Sequence, residues 1–166
     1  VAPMDGRSFL PVLRGKADTH KEHVFGIMTT RGIHFGTDAF AIRSVRDTRY
    51  KLILNLNHKS KFTNACTKSP AFQSMVAKAA AGDTTAIRLV HAYQYRPAVE
   101  LFDMEKDPLE MNNLSGNTDY QKHVTRLRSK LEGWMKTQGD QGVETELKAR
   151  ERQGGRKKKN PKKKQP

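Results

Sequence analysis

Only one of the 166 residues is a cysteine, Cys66, so no disulfide can form within the chain and no zinc site can be built from several thiolates. No window approaches the run of roughly 18 apolar residues that a membrane-spanning helix needs, and no basic stretch leads into an apolar run near the N-terminus. A glycine-rich phosphate cradle, a G-x-S-x-G elbow and an HExxH pair are all lacking, and no internal repeat is visible. Acidic residues are scarce. Asp and Glu total 17 against 31 Lys and Arg, a formal charge of +14. Apolar residues make up 36% and mean hydropathy is −0.77, lean for a globular protein but richer than a disordered chain. One ordinary domain fits this length. The first residue is Val1 rather than Met, so either a segment has been removed or the chain is a piece of something longer.

Half of the charge excess sits in the last eleven residues, on Arg156, Lys157, Lys158, Lys159, Lys162, Lys163 and Lys164. With no apolar side chain larger than proline, GGRKKKNPKKKQP cannot offset the entropy of ordering and is expected to be a disordered tail. Such a tail attracts any polyanion, nucleic acid or heparin-like chain, by counterion release that fades with salt. No aromatic residue interleaves with the lysines to act as a stacking platform for bases.

Along the chain, residues 1–22 read as a connector punctuated by Pro3, Gly6, Pro11 and Gly15. Strand composition follows at 23–30, 40–46 and 49–56. Phe40, Ile42 and Ser44 alternate with Ala41, Arg43 and Val45, while Tyr50, Leu52 and Leu54 share one face. Asp47 and Thr48 form a hairpin-length gap, so antiparallel pairing is expected, with Arg43 and Arg46 on the exposed face. Ser69-Pro70 opens a helix with Phe72, Met75, Val76 and Ala79 on one side, ended by Gly82. A second helix from Asp83 to about Tyr95 is expected to bury Ile87, Val90 and Tyr93. Val99 to Met104 is a further strand. Thr118 and Gln121 suggest a capping box before a helix whose Tyr120, Val124, Leu127, Leu131, Trp134 and Met135 make an apolar stripe. Residues 143–153 are charged and carry no stripe. Strands first and helices after predict an α+β fold, a small antiparallel sheet of about four strands covered by helices.

Three sites invite chemistry. Asp103, Glu105 and Asp107 alternate as in a calcium loop, but Pro108 stands where glycine is needed and Leu114 where glutamate is needed. An Asp-Pro turn with local Asn112 and Asn113 bonds explains the stretch instead. His20 and His23 could share a helical face toward a metal, without a convergent third ligand. Cys66 would be a nucleophile only beside a histidine that spacing cannot place.

DGRSFLPVLRG (Asp5 to Gly15), VFGIMTTRG with IRSVRDTRYKLILNLN (Val24 to Asn57) and RPAVELFDMEKDPLEMNNL (Arg96 to Leu114) occur in this order. Together they resemble the C-terminal part of a sulfatase, most closely the heparan N-sulfatase (N-sulfoglucosamine sulfohydrolase) branch. The phrase E-L-[FY]-D-x-x-x-D-P-x-E-x-x-N-L is matched without a break by Glu100, Leu101, Phe102, Asp103, Asp107, Pro108, Glu110, Asn113 and Leu114. SPAFQSMVAKAAAGD also resembles that branch. The resemblance implies a connector over 1–22 from the end of a catalytic domain, a C-terminal α+β domain over 23–140, and a charged segment with a basic tail over 141–166.

The resemblance further implies hydrolysis of sulfate esters or sulfamates of sulfated glycans, with formylglycine as nucleophile and calcium as the sulfate-holding cation. Formylglycine arises from the cysteine or serine of C-x-[PA]-S-R. Cys66 is followed by Thr67, Lys68, Ser69 and Pro70 and does not match. Neither cofactor is therefore expected in this chain; both belong to an upstream catalytic domain, the implied partner alongside a sulfated glycan. On its own the chain is expected to be inactive. The loop Thr29 to Phe40 is implied to edge the sulfate pocket, with Thr30, Arg31 and His34 as substrate-binding candidates. The competing reading is a polyanion-binding module acting through the tail.

Overall fold

The computed structural model describes residues 6–30 and 33–152. Strands β1 (Val24–Met28), β2 (Ile42–Arg46), β3 (Tyr50–Asn55) and β4 (Val99–Asp103) form one antiparallel sheet in the order β1-β2-β3-β4. Helices α1 (Leu10–Leu13), α2 (Pro70–Ala80), α3 (Thr84–Gln94), α4 (Gln121–Thr137), α5 (Val143–Leu147) and α6 (Ala149–Arg152) complete the α+β arrangement.

The alternating pattern of β2 and β3 divides their side chains between two apolar layers. On one face Val45, Tyr50, Leu52, Leu54 and Leu101 meet Val124, Leu127 and Leu131 of α4. Trp134 extends this layer to the edge strand, stacking on Phe25 with centroids 4.8 Å apart and planes 4° from parallel. On the other face Phe40, Ile42, Ile53, Phe62 and Phe102 cluster, joined by Met28, Tyr93 and Met104. Leu52, Leu101, Leu127 and Leu131 are completely removed from solvent. Each contributes about 2 kcal/mol by area.

Local signals explain most element ends. Ser69 Oγ accepts from the Phe72 amide at 3.2 Å and Asp83 Oδ1 from the Ala86 amide at 2.9 Å, capping α2 and α3. Gly82 adopts φ +92°, the left-handed conformation that lets the chain leave α2 and enter α3 directly. Three expectations are corrected. The β2–β3 turn is centred on Thr48-Arg49, not Asp47-Thr48, because the Asp47 carboxylate must precede the amides of Arg49 and Tyr50 that it accepts, at 2.8 and 2.6 Å. The helix opening at Thr118 uses no Thr118–Gln121 box: Asn117 accepts from the Asp119 amide at 2.9 Å and starts a 3-10 turn ahead of α4. On α3, Val90 and Tyr93 are half-buried as expected and Tyr93 joins the second apolar layer, but Ile87 is 47% exposed while Ala86 and Gln94 are buried.

The ELFDMEKDPLEMNNL stretch is a polar scaffold for β4. Asp103, 1% exposed, takes a forked pair of bonds from Arg49 at 2.7 and 3.0 Å. Asp107 Oδ2 accepts from the Asn112 amide at 2.7 Å, and Asn113 Oδ1 from the amides of Leu101 and Ser115, each at 3.0 Å. Leu114 returns to the Leu101 carbonyl at 2.8 Å. These acids and asparagines thus serve the turn that the residue pattern suggested.

Removing side-chain volume between α4 and the sheet should be costly. Leu127→Ala should lose about 2–5 kcal/mol in urea denaturation, whereas Leu109→Ala, at a side chain 79% exposed, should stay within about 0.5 kcal/mol. Acid should destabilise the fold in two steps. Burial, then Lys122 and Arg126, push the His123 imidazole below its usual 6.5. The Arg49 guanidinium beside Asp103 holds that carboxyl below 3.8. A depressed imidazole disfavours the folded state once pH falls below 6.5, and a depressed carboxylate withdraws its support as pH falls below 3.8. Stability measured by urea midpoint should therefore be flat above pH 7 and decline in both windows, and His123→Gln should remove the upper one.

Candidate functional site

The loop between β1 and β2 is built around one buried hydroxyl. Thr30, 2% exposed, accepts from the Phe40 amide at 2.9 Å through Oγ1 and donates to the Thr37 carbonyl. Its own carbonyl accepts from the Ile33 amide at 3.0 Å. Across the loop, Thr37 Oγ1 accepts from the Thr63 amide at 2.7 Å and Thr63 Oγ1 donates to the Phe35 carbonyl at 2.8 Å. Gly36 sits where a Cβ would lie 3.0 Å from the Thr30 carbonyl oxygen, so only glycine fits without a shift.

Phe35 and Ala39 hold φ of +57° and +54°, left-handed values for side-chain-bearing residues. Each costs about 1–2 kcal/mol, which the surrounding threonine bonds offset. The strained backbone raises a crest of Ile33, His34 and Phe35, all exposed, with the His34 and Phe35 rings 4.0 Å apart. An imidazole flanked by apolar side chains can donate hydrogen bonds to an anionic group and cover a sugar face.

Behind this loop lies the feature that the residue pattern misplaced. Arg43 was expected on the exposed face; it is 2% exposed, on the α4 side of the sheet. The alternation is intact, but residues after α4 cover this position, so the guanidinium needs an internal counter-charge. Asp140 supplies it, accepting from Nε and, at 3.3 Å, from Nη2, while Nη1 donates to the Ile42 carbonyl at 3.0 Å. Burial opposes the Asp140 charge, but the Arg43 guanidinium and the Gly142 amide at 2.9 Å keep its carboxyl below the usual carboxylate range. Nearby, Glu146 is 2% exposed and accepts from the Thr29 hydroxyl and, at 3.0 Å, from the Thr30 amide. A cleft of about 330 Å³ between Ile27, Thr29, Gln138 and Ala149 runs along this polar layer.

Residues 67–137 match the family model for the C-terminal region of N-sulphoglucosamine sulphohydrolase. An ulvan-active sulfatase of Formosa agariphila is 34% identical over 137 residues, covering 82% of this chain and 25% of that protein. This chain carries a sulfatase C-terminal domain. The human N-sulphoglucosamine sulphohydrolase is 32% identical over 135 residues, covering 80% of this chain and 26% of that one. The sulfatase domain thus spans about a quarter of the length of these relatives. Its fold also matches a solved structure described in complex with its substrate D-glucosamine-2-N,6-O-disulfate, with a TM-score of 0.53, 19% identity, and coverage of 87% of this chain and 22% of the other. Nothing in these relatives supports a nucleic-acid-binding module.

Within the sulfatase domain the candidate residues separate. Thr30 shapes the loop from inside, His34 stands on its crest, and Arg31 lies outside the described residues. So do Arg156, Lys157, Lys158, Lys159, Lys162, Lys163 and Lys164. His20 and His23 share no helix; His23 stacks toward Phe25 at 6.5 Å, and His20 meets the edge of Phe9 at 6.3 Å. Cys66 is exposed at the start of a 3-10 turn capped by Asn64, and among the described residues no three His, Cys, Asp or Glu side chains converge on a point. Among the described residues, then, no side-chain cluster fits a calcium centre. Asp140 and Glu146 escaped the residue pattern because a lone buried acid in a charged stretch leaves no periodic signal. The excess of Arg43 over its apolar neighbours in β2 was the available clue.

The buried pair has a measurable consequence. Asp140→Ala leaves the Arg43 guanidinium uncompensated and should cost about 3–5 kcal/mol, whereas the double variant Arg43→Met with Asp140→Leu should recover most of it in chemical denaturation.

Proposed function

We propose that this chain is the C-terminal portion of a hydrolase that removes sulfate, as ester or sulfamate, from sulfated glycans. The observation carrying the reading is the match of 82% of the chain to a quarter of an ulvan-active sulfatase, with the human N-sulphoglucosamine sulphohydrolase aligned over nearly the same share. The substrate named for the fold-matched solved structure, a glucosamine bearing two sulfates, supports the same class. The nucleophile and the cation are assigned to upstream polypeptide, a formylglycine and a calcium ion that supply attack on sulfur and polarisation of the sulfate oxygens.

This domain's part is to buttress that region and to edge its pocket with the 29–40 loop. His34 and Arg31 are the groups suited to an anionic sugar, and Thr30 holds the loop's shape. On the connector, Phe9, Leu10 and Leu13 are 56%, 44% and 69% exposed, an apolar strip that contact with the catalytic domain would cover.

The test is direct. The chain alone should hydrolyse neither an aryl sulfate nor N-sulfoglucosamine at any calcium concentration, and activity should appear when an upstream domain carrying C-x-[PA]-S-R is supplied. Turnover by this chain alone would overturn the division of labour.

A further inference from the structure

Glu146 lies beyond the end of the family match at residue 137, in a stretch with no apolar stripe, yet it is one of the most deeply buried charged side chains described, 2% exposed. A carboxylate in that position is tolerated only when hydrogen bonds replace its water. Two of its bonds reach 116 and 117 residues back in the chain, to the Thr30 amide and the Thr29 hydroxyl, where β1 ends and the loop begins.

The segment delivering Glu146 is itself held at each step. Asp140 is anchored to Arg43 in β2. The Gly142 amide donates to Asp140 at 2.9 Å and the Gln141 amide to Thr145 Oγ1 at 2.7 Å. Gly142 has φ +66°, and a Cβ there would come within 3.0 Å of Leu56, so the backbone turns tightly against the end of the sheet. A polar circuit thus runs from β2 through Asp140 and α5 to the first residues of the loop. At its far end the loop keeps Phe35 and Ala39 in left-handed conformations that relax unless neighbouring groups over-determine them.

We infer that Glu146 is a positioning residue, acting through Thr29 and Thr30 to hold the 29–40 loop in the shape that presents His34 to the sulfated sugar. The inference rests on the proposal above that this loop edges the pocket. Residues 139–147 would then be a strap working on the substrate-facing side of the domain, not a trailing end.

Hydrogen exchange on the 166-residue chain tests the strap without any sugar. Glu146→Ala should accelerate exchange of amides between 29 and 40 by about tenfold or more, while β2 and β3 stay within about twofold of wild type. Glu146→Gln, which keeps an acceptor for the Thr30 amide, should stay within about threefold. Should E146A not fold, Thr29→Val removes the hydroxyl donor to Glu146 and should accelerate the same stretch by about threefold. No acceleration, or acceleration spread evenly through the sheet, would overturn the strap and leave Glu146 an ordinary packing residue. A second arm supplies the upstream domain carrying C-x-[PA]-S-R and follows the His34 ring by NMR during titration with N-sulfoglucosamine. A wild-type response weakened at least about fivefold in E146A and restored in E146Q supports the positioning role. An unchanged response in E146A overturns it. A wild-type ring that does not respond sinks the pocket-edge proposal, and the exchange data still decide whether the strap holds the loop.

Discussion

A guanidinium cannot be left uncompensated inside a protein, and much of this domain's far end is organised by that constraint. Arg43 occupies the middle of an edge-adjacent strand on the face covered by α4. Its charge requires a carboxylate, and Asp140 can supply one only if the chain turns back over the sheet immediately after α4 ends. Once that turn is made, Glu146 follows within two turns of helix and meets the start of the β1–β2 loop. One buried charge thereby couples α5, β2 and the loop between β1 and β2.

The phrase ELFDMEKDPLEMNNL, the strongest family signature here, illustrates how a motif can be structural while still being diagnostic. Its acids and asparagines are consumed by the Arg49 fork, by local amides and by the return of Leu114 to β4. Glu110, at φ +56°, is pinned by Lys51 at 2.8 Å. These bonds fix the path from β4 into α4, and α4 must arrive at one angle for Val124, Leu127 and Leu131 to pack against Val45, Leu52 and Leu101 of the sheet.

The proposed division between chemistry and support is physically sensible. Attack on sulfur requires a convergent nucleophile, cation and proton donors, which the proposal assigns to upstream polypeptide. A rim loop instead needs a rigid base and an exposed crest. The threonine bonds around Thr30 and Thr37 build the base, and the left-handed residues lift the crest.

The amino-acid sequence by itself determined the order of the four strands and of α2 to α4, the antiparallel pairing and the α4-facing apolar stripe, because alternation in β2 and β3 and the Val124–Leu127–Leu131 spacing are local and periodic. Its family phrases determined the sulfatase relationship. It could not place the turn after Arg46 to the residue, since Asp47 and Thr48 are both common turn formers and only the carboxylate's bonds to later amides choose between registers. Tertiary structure alone decided that Arg43 is interior, that Asp140 answers it, and that Glu146 reaches Thr30. Those pairings join residues about a hundred positions apart, and a single charged side chain carries no period from which its partner could be read.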